Sequence, residues 1–492
     1  MKTVRLDQLS GKIKIFTLTG LAVLIVSARS ASITAPELVS QIDSLLALPE
    51  LARAQVGLAI YSLEDSQYLY HKNLQNLFVP ASNMKLVTTA AGLHYLGKDF
   101  RFKTEFYHTG NISGGTLTGD LVIKGYGDPT VSNRFGGKVT GVLEEWCDSL
   151  QHYGIRKISG GLTADASYFD TVFWGPGWSL DDLSYWYAAE VSALNFNDNC
   201  VNLHFRAGSG VGKPVKIEFE PETDYIKWDN QSVTITGESH NSVDYVRPPE
   251  QNFVTFFGSY SVGNRKVLED YVSVHQPPQF CLSVFRDVME RKYIETVWPD
   301  SVASDSTRRL LFTWHSHPLE EIVSVINKNS QNLYAECLFK TLGRVKRGEG
   351  SFRSGSKVLE EFLLSAGIPA GQFKILDGSG LSYMNLLSPQ AVIQLLSHVH
   401  RQPYFDAYFE TLARPGKDKS MQYRMGNAKN RNKMHLKTGF ISNAICLSGY
   451  IEGENDRLYA ISIMFNNYTA DKEKLWEIQD KICELIAGLD RR

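Results

Sequence analysis

The sequence predicts an α/β (α+β) fold in which one domain is split by a β-rich insertion. Three observations support this prediction. Helical and strand-like segments occur together near both ends of the 492-residue chain, alternating aromatic-rich segments dominate its middle, and helical periodicity returns after them. A hydrophobic fraction of 43% and a charged fraction of 21% are those of an ordinary globular protein, so neither a disordered chain nor a fibre is expected.

The first 31 residues have the order of a secretory signal. Basic residues precede an apolar run from Ile15 to Val26, and small residues follow in "SARSAS". The run is shorter than the roughly 20 residues that a membrane span needs, so cleavage near residues 28 to 31 is predicted. We expect an exported protein in the periplasm or cell envelope, associated with the membrane if the signal stays uncleaved.

Residues 32 to 97 are predicted to form the first part of the split domain. They contain a helical segment, the strand-like "VGLAIYSLEDSQYLY" and a second helix that opens near Ser82. Behind Ser82, apolar residues such as Leu86, Ala90 and Leu93 recur at helical spacing.

Residues 98 to 276 are predicted to be the β-rich insertion. Segments such as "RFKTEFYHTG", "LTGDLVIKG" and "SVTITG" have alternating residue patterns, and turns of Gly, Asn and Asp separate them. Residues 277 to 492 are predicted to be the second part of the split domain. They hold several segments of helical periodicity, two strand-like runs, "ICLSGYIEG" and "RLYAISIMFNN", and a closing amphipathic helix.

Composition excludes several classes of function. Lys plus Arg (51) nearly balances Asp plus Glu (53), so no basic excess indicates a nucleic-acid partner. Six scattered cysteines without a C-x-x-C pair disfavour a zinc ribbon or a disulfide-stapled fold. Export permits disulfides, but six cysteines allow 15 pairings and the sequence does not choose among them.

Ser82 and Lys85 are the first candidate catalytic pair. Residues three apart lie on one helix face, so a serine nucleophile and a lysine base would meet one turn apart. The spacing alone is weak evidence, since serine also caps helices and lysine is common on surfaces. A second such pair, Ser354 and Lys357, opens an amphipathic helix and is interpreted as capping.

Two later motifs supply the partners that Ser82 needs. Ser330-Gln331-Asn332 lies in "NKNSQNLYAE", and Lys437-Thr438-Gly439 opens a strand-like run. A lysine can accept the serine proton if a desolvated or cationic site lowers its pKa, and Lys437 beside Lys85 would supply that positive charge. We expect Ser330 to relay a proton to the leaving nitrogen and Asn332 to hold both the substrate amide and Lys85.

An edge strand at Lys437 would let an extended peptide lie alongside it. Gly439 is expected to permit a close approach, because a side chain there would obstruct the substrate. The backbone N–H groups of Ser82 and Phe440 are the expected oxyanion donors, and one such donor is worth roughly 10² to 10³ in rate.

The three motifs in this order resemble those of penicillin-binding proteins and class A β-lactamases. More specifically, the chain resembles the D-alanyl-D-alanine carboxypeptidases and endopeptidases of the penicillin-binding protein 4 type, peptidase family S13. The resemblance extends to "VPASNMKLVTTAAGL", "LTGDLVIKGYGDPTV", "EVSALNFNDNCV", "DGSGLSYMNLLSP" and "LKTGFISNAICLSGYI". The interval from Ser82 to Ser330, 248 residues, supports this subtype, because the family carries inserted domains there.

The resemblance implies a serine β-lactamase or penicillin-binding transpeptidase-like core split by the insertion. It implies an acyl-enzyme on Ser82, with peptidoglycan stem peptides ending in D-Ala-D-Ala, or D-amino-acid cross-links, as substrates. β-Lactam antibiotics would be inhibitors, and no metal or other cofactor is implied.

Two positions depart from the family pattern. Relatives commonly place Ser or Thr after Lys-Thr-Gly to hold the substrate carboxylate, whereas this chain has Phe440. Thr438 and Ser442 are the hydroxyls that can compensate, and the preference between carboxypeptidase and endopeptidase action stays open. Tyr383 stands where an arginine is usual.

Three alternative functions are kept. A β-lactamase would use the same residues, although the chain lacks a well-placed Glu-x-x-Leu-Asn motif. A non-catalytic wall-binding scaffold would retain the fold and bind through the insertion, and an esterase would act on small esters. A phosphate loop in "AGSGVGKP" and a zinc site in "WHSHP" are discounted, because the first lacks the Ser or Thr for magnesium and the second lacks further ligands.

Overall fold

The computed structural model describes residues 33–237, 241–264, 266–297, 307–426 and 428–490. The predicted signal at residues 1–31 lies outside these ranges. Among the helices within them, none combines the length and the apolar character that a membrane crossing requires.

The helices and strands of the described ranges are numbered in chain order. The α-helices are α1 (Ala35–Leu46), α2 (Met84–Leu96), α3 (Gly141–His152), α4 (Pro277–Arg291), α5 (Leu319–Lys328), α6 (Asn332–Arg347), α7 (Phe352–Ser365), α8 (Pro389–His400), α9 (Phe405–Thr411) and α10 (Lys472–Ala487). The strands are β1 (Gln55–Ser62), β2 (Gln67–Lys72), β3 (Arg101–His108), β4 (Asn111–Ser113), β5 (Thr116–Thr118), β6 (Leu121–Gly125), β7 (Lys157–Ile158), β8 (Leu162–Asp165), β9 (Cys200–Arg206), β10 (Lys216–Glu220), β11 (Lys227–Asn230), β12 (Val233–Ile235), β13 (Asp244–Val246), β14 (Phe253–Phe257), β15 (Ser259–Ser261), β16 (Leu268–Ser273), β17 (Glu295–Thr296), β18 (Arg309–Pro318), β19 (Phe373–Lys374), β20 (Leu386–Leu387), β21 (Met434–Ile441), β22 (Ala444–Glu452) and β23 (Leu458–Asn466).

A five-stranded antiparallel sheet, in the order β2-β1-β23-β22-β21, joins the two ends of the chain. Successive side chains of a strand point to opposite faces. On β22, Ile445 and Leu447 therefore pack with α1 and α10, while Cys446 and Tyr450 join the core that contains α2, α6 and α8. Because helices cover both faces, β22 is buried along nearly its whole length and β21 stands at the edge.

Helix α2 lies at the centre of a mostly helical lobe. Every residue from Met84 to Leu93 is buried, and the helix contacts α5, α6 and α7. A helix buried on all sides needs apolar or internally bonded residues around its whole circumference. Thr88 and Thr89 meet this need by donating their hydroxyls to the Gly378 and Lys85 carbonyls at 2.7 and 2.6 Å.

The segment predicted to be the insertion contributes to several small sheets, of which the largest have the orders β18-β3-β6-β8 and β17-β7-β5-β4. Strands β17 and β18 follow the predicted end of the insertion at residue 276. The predicted insertion also holds α3, a helix inside the segment predicted to be β-rich. Helix α4 packs its Phe280, Phe285 and Met289 into the same core as Trp146 of α3, and β18 pairs with β3. We therefore propose that the chain returns to the split domain near Leu319, later than the predicted boundary at residue 276.

The structure also settles two details that the sequence leaves open. The stretch from Leu319 to Arg347 forms two helices, α5 and α6, because Ser330 has a left-handed backbone (φ 58°) and Gln331 caps α6. All six cysteines are buried and free.

Candidate active site

Ser82 lies in a short 3₁₀ turn, Ala81–Asn83, that leads directly into α2. Ser82 is half-buried and its neighbours Ala81 and Asn83 are fully buried. The Asn83 side chain donates to the Ser448 hydroxyl of β22 at 2.6 Å, which fastens the turn to the sheet. The predicted opening of a helix near Ser82 is confirmed.

Lys85 is fully buried, and its Nζ has three oxygen partners. These are Ser82 Oγ at 2.9 Å, Asn332 Oδ1 at 2.6 Å and the Ser379 carbonyl at 2.7 Å. A neutral amine has two hydrogens and one lone pair. It can therefore donate to Asn332 and Ser379 while it accepts the hydroxyl hydrogen of Ser82, which is the state that a base requires.

Burial lowers the pKa of Lys85 to about 7, against the opposing negative charges of Glu336 and Asp377. An ammonium loses hydration in a buried site, so the neutral form is favoured there. A lowered pKa allows Lys85 to act as a free base near neutral pH.

A loop behind Lys85 is held by two carboxylates that the sequence reasoning missed. Glu336 of α6 accepts from the backbone N–H groups of Gly378 and Ser379 at 2.9 and 2.7 Å, and burial with the nearby Asp377 raises its pKa. Asp377 accepts from the Gly380 N–H at 2.8 Å. These bonds aim the Ser379 carbonyl at Lys85. The quoted "DGSGLS" block contains the loop, but no local pattern indicates Glu336.

Lys437 lies on β21 and is also fully buried. Its Nζ donates to Ser330 Oγ and to the Thr438 carbonyl, both at 2.8 Å. Burial and the nearby positive charge of Lys85 hold the pKa of Lys437 well below its ordinary value. The two motif lysines interact electrostatically, but the pKa of Lys85 is lowered by burial and not by the charge of Lys437 that the sequence reasoning expected.

Asn332, the first residue of α6, joins three parts of the chain. Its Oδ1 accepts from Lys85, and its Nδ2 donates to the Tyr187 carbonyl of the insertion at 2.7 Å. The expected contact of Asn332 with Lys85 is present. Tyr187 is a second residue that the sequence reasoning missed, within the aromatic-rich segment "SYWYAAE".

The open edge of β21 faces the serine. The backbone N–H and C=O groups of Leu436 bond Ala413, on the side of β21 away from β22. Every second residue of a strand directs its backbone groups to the same side, so those of Thr438 and Phe440 also point away from β22. A Cβ at Gly439 would lie 2.9 Å from the Pro80 carbonyl oxygen. Glycine is thus needed there for close packing of β21 on the serine turn.

A cleft of about 360 Å³ opens above these groups. Its lining contains six of the nine predicted site residues, and Lys85, Lys437 and Gly439 are not part of the lining. Its further lining comes from the insertion (Asp182, Trp186 and Tyr187), from Leu381 and Tyr383 of the loop behind Lys85, and from Ile441. The six predicted site residues in the lining are Ser82, Ser330, Asn332, Thr438, Phe440 and Ser442.

The second Ser–Lys pair and His317 of "WHSHP" bond to other residues. Ser354 donates to Glu349 and Lys357 pairs with Glu360, so these two residues form no catalytic pair; the cap of α7 is Ser351. His317 bonds Glu321 at 2.8 Å.

The mixed helix-and-sheet fold, with a cleft in which Ser82 contacts the buried Lys85, fits a serine-type peptidase. Residues 38–489 match the family model of the D-Ala-D-Ala carboxypeptidase 3 (S13) family. The chain belongs to this family and is a serine-type peptidase, which confirms the resemblance found in the sequence.

Characterised relatives and solved structures agree with this assignment. A D-alanyl-D-alanine carboxypeptidase of Actinomadura sp. (strain R39) is 29% identical over 486 residues, 96% of this chain and 88% of the relative. D-alanyl-D-alanine carboxypeptidase DacB of Haemophilus influenzae is 24% identical and covers 87% of this chain and 88% of the relative. The crystal structure of penicillin binding protein 4 (dacB) from H. influenzae has a TM-score of 0.78 at 22% identity and covers 91% and 99% of the two chains. The last similarity confirms the predicted fold class.

Proposed function

We propose that Ser82 is the nucleophile of a D-alanyl-D-alanine peptidase and that Lys85 is its general base. The observation that carries this proposal is the 2.9 Å contact between Ser82 Oγ and the Nζ of a fully buried lysine whose pKa is lowered to about 7. Neutral Lys85 takes the hydroxyl proton as Oγ bonds to the carbonyl carbon of the penultimate D-alanine.

The tetrahedral oxyanion then accepts hydrogen bonds from the backbone N–H groups of Ser82 and Phe440. The outward direction of the Phe440 main chain and the fastening of the Ser82 turn by Asn83 support this assignment. Both donors are fixed before the substrate arrives, so little reorganisation is needed during the reaction.

Ser330 and Lys437 serve the leaving group. The Ser330 hydroxyl gives its proton to the departing amine nitrogen as the C–N bond breaks, and Lys437, 2.8 Å away, restores that proton. D-Alanine, or the amine of a cross-linked peptide, leaves. Water then attacks the ester on Ser82. Its proton passes through Ser330 to Lys437, Lys85 returns its proton to Ser82 Oγ as the ester bond breaks, and the shortened stem peptide leaves with its new carboxyl group.

The substrates proposed are peptidoglycan stem peptides that end in D-Ala-D-Ala and peptides joined by D-amino-acid cross-links. Thr438 of β21 and Ser442, just after its end, line the cleft and would offer their hydroxyls to the substrate. β-Lactams would acylate Ser82 in the same way and inhibit. An exported enzyme of the periplasm or cell envelope fits both this substrate and the N-terminal signal pattern.

The test is mass spectrometry of the chain after incubation with benzylpenicillin, beside Ser82→Ala. A stable adduct on the Ser82 peptide that is absent from the variant is the expected result. Destruction of the antibiotic without an adduct would instead indicate a β-lactamase. An intact antibiotic with no adduct and no release of D-alanine would favour the non-catalytic scaffold, and turnover of chromogenic esters alone would favour an esterase.

A further inference from the structure

A carboxylate of the insertion reaches the turn that carries Ser330. Asp198 Oδ2 accepts from Gln331 Nε2 at 3.0 Å and forms an ion pair with the Arg134 guanidinium. The side chains of Asp198 and Arg134 are only 13% and 19% exposed. A charge-assisted contact that is shielded from water holds its geometry better than a surface pair does.

Gln331 stands between two residues of the proposed catalytic machinery. It is buried, its Oε1 accepts from the Leu333 N–H to cap α6, and its Nε2 donates to Asp198. Ser330 before it contacts Lys437, and Asn332 after it contacts Lys85. A change in the Gln331 side chain would therefore displace both contacts together.

The contact between Asp198 and Gln331 joins two segments that hold unfavourable backbone conformations. Asn197, Asp198 and Asn199 are three consecutive residues in the left-handed region, with φ of 48°, 55° and 56°, and Ser330 has φ of 58°. Non-glycine residues adopt such conformations at a cost in free energy, so the conformations persist where surrounding contacts over-determine them. Asn197 and Asn199 supply such contacts, because their amides bond the Cys200 and Glu190 carbonyls at 2.9 and 2.8 Å.

We propose that Asp198, held by Arg134, is a positioning residue through which the insertion fixes the Ser330–Gln331–Asn332 turn for acylation. The inference rests on the proposed function, in which Ser330 and Asn332 serve the acylation of Ser82. Asp198 does not touch the substrate; it acts through Gln331. The insertion is then part of the catalytic apparatus.

The test measures benzylpenicillin acylation of the full chain by rapid quenching and intact mass. The dependence of the rate on antibiotic concentration separates the acylation rate constant from the constant for prior binding. Asp198→Ala should lower the rate constant about 10- to 100-fold, because small misplacements of catalytic groups have effects of that size. Prior binding should change less than about threefold.

Asp165→Ala is the matched control. Asp165 is also an insertion carboxylate with 13% exposure, and it pairs with Lys124 and Arg308 away from the cleft. The acylation rate constant of the Asp165→Ala variant should stay within about twofold of the wild-type value. Asp198→Asn, which keeps an acceptor for Gln331, should recover most of the lost rate. Gln331→Leu should match Asp198→Ala, and the double variant should be no slower than the slower single variant.

Thermal melting followed by circular dichroism establishes that each variant is folded. If Asp198→Ala fails to fold, Asp198→Asn and Gln331→Leu carry the test. An Asp198→Ala rate constant equal to that of Asp165→Ala, a loss confined to prior binding, or additive effects in the double variant would overturn the inference. No acylation of the wild type would overturn the proposed function and the inference together, so the two failures are distinguishable.

Discussion

The substitution Gly380→Ala tests how the loop behind Lys85 supports the serine turn. Gly380 has φ of +83°, and a Cβ added there would lie 1.8 Å from the Ala81 carbonyl oxygen. The two atoms would have to separate by more than about 1 Å to reach even a tight contact. Ala81 immediately precedes Ser82, so the nucleophile should move with it. A displacement near 1 Å predicts a loss of about 100-fold in the acylation rate constant.

Gly367→Ala is the control for backbone strain alone. Gly367 has φ of +81°, almost the same as Gly380, but a Cβ there meets nothing within 4 Å. Both variants should lose about 1 to 2 kcal/mol of unfolding free energy from the left-handed conformation, and Gly380→Ala should lose more. The assays are benzylpenicillin acylation and thermal melting. Equal acylation rate constants for the two variants would refute the proposed support of Ser82 by this loop.

Two further predictions concern the chemistry of the site. Because burial lowers the pKa of Lys85 to about 7, its proton is lost as pH rises through that value, and the acylation rate constant should rise about tenfold from pH 6 to pH 8 and level off. A continued rise of about 100-fold over the same range, as expected for a lysine of ordinary pKa, would contradict this assignment. Phe440→Thr should restore a hydroxyl for a free substrate carboxylate and increase D-alanine release relative to cross-link cleavage about tenfold or more. The two products are measured by chromatography of digests, and an unchanged ratio would show that Thr438 and Ser442 already supply the contact.

The sequence predicted much of the local structure and the class of enzyme. The helix opening at Ser82 follows from the apolar spacing behind it. The strand predicted to begin at Lys437 is β21, which begins earlier, at Met434. The order and spacing of the three motifs identified the family, because each motif places fixed chemical groups within a few residues of one another. Helix α3 escaped prediction, since the surrounding segments are strongly strand-like.

Tertiary structure decided the rest. The lowered pKa of Lys85 depends on its burial between Ser82, Asn332 and Ser379, and Asn332 lies 247 residues away in the chain. The roles that we propose for the insertion, through Tyr187 and Asp198, depend on contacts of the same kind.

The two kinds of feature differ in how far apart in the chain the interacting residues lie. A sequence pattern reports hydrogen bonding and side-chain direction within a helix or strand, where neighbours are a few residues apart. Desolvation, charge proximity and the fit of Gly439 against Pro80 arise only when distant segments pack. Sequence alone therefore determined which residues could perform the chemistry, and the packing of the split domain with its insertion determined the electrostatic environment in which they act.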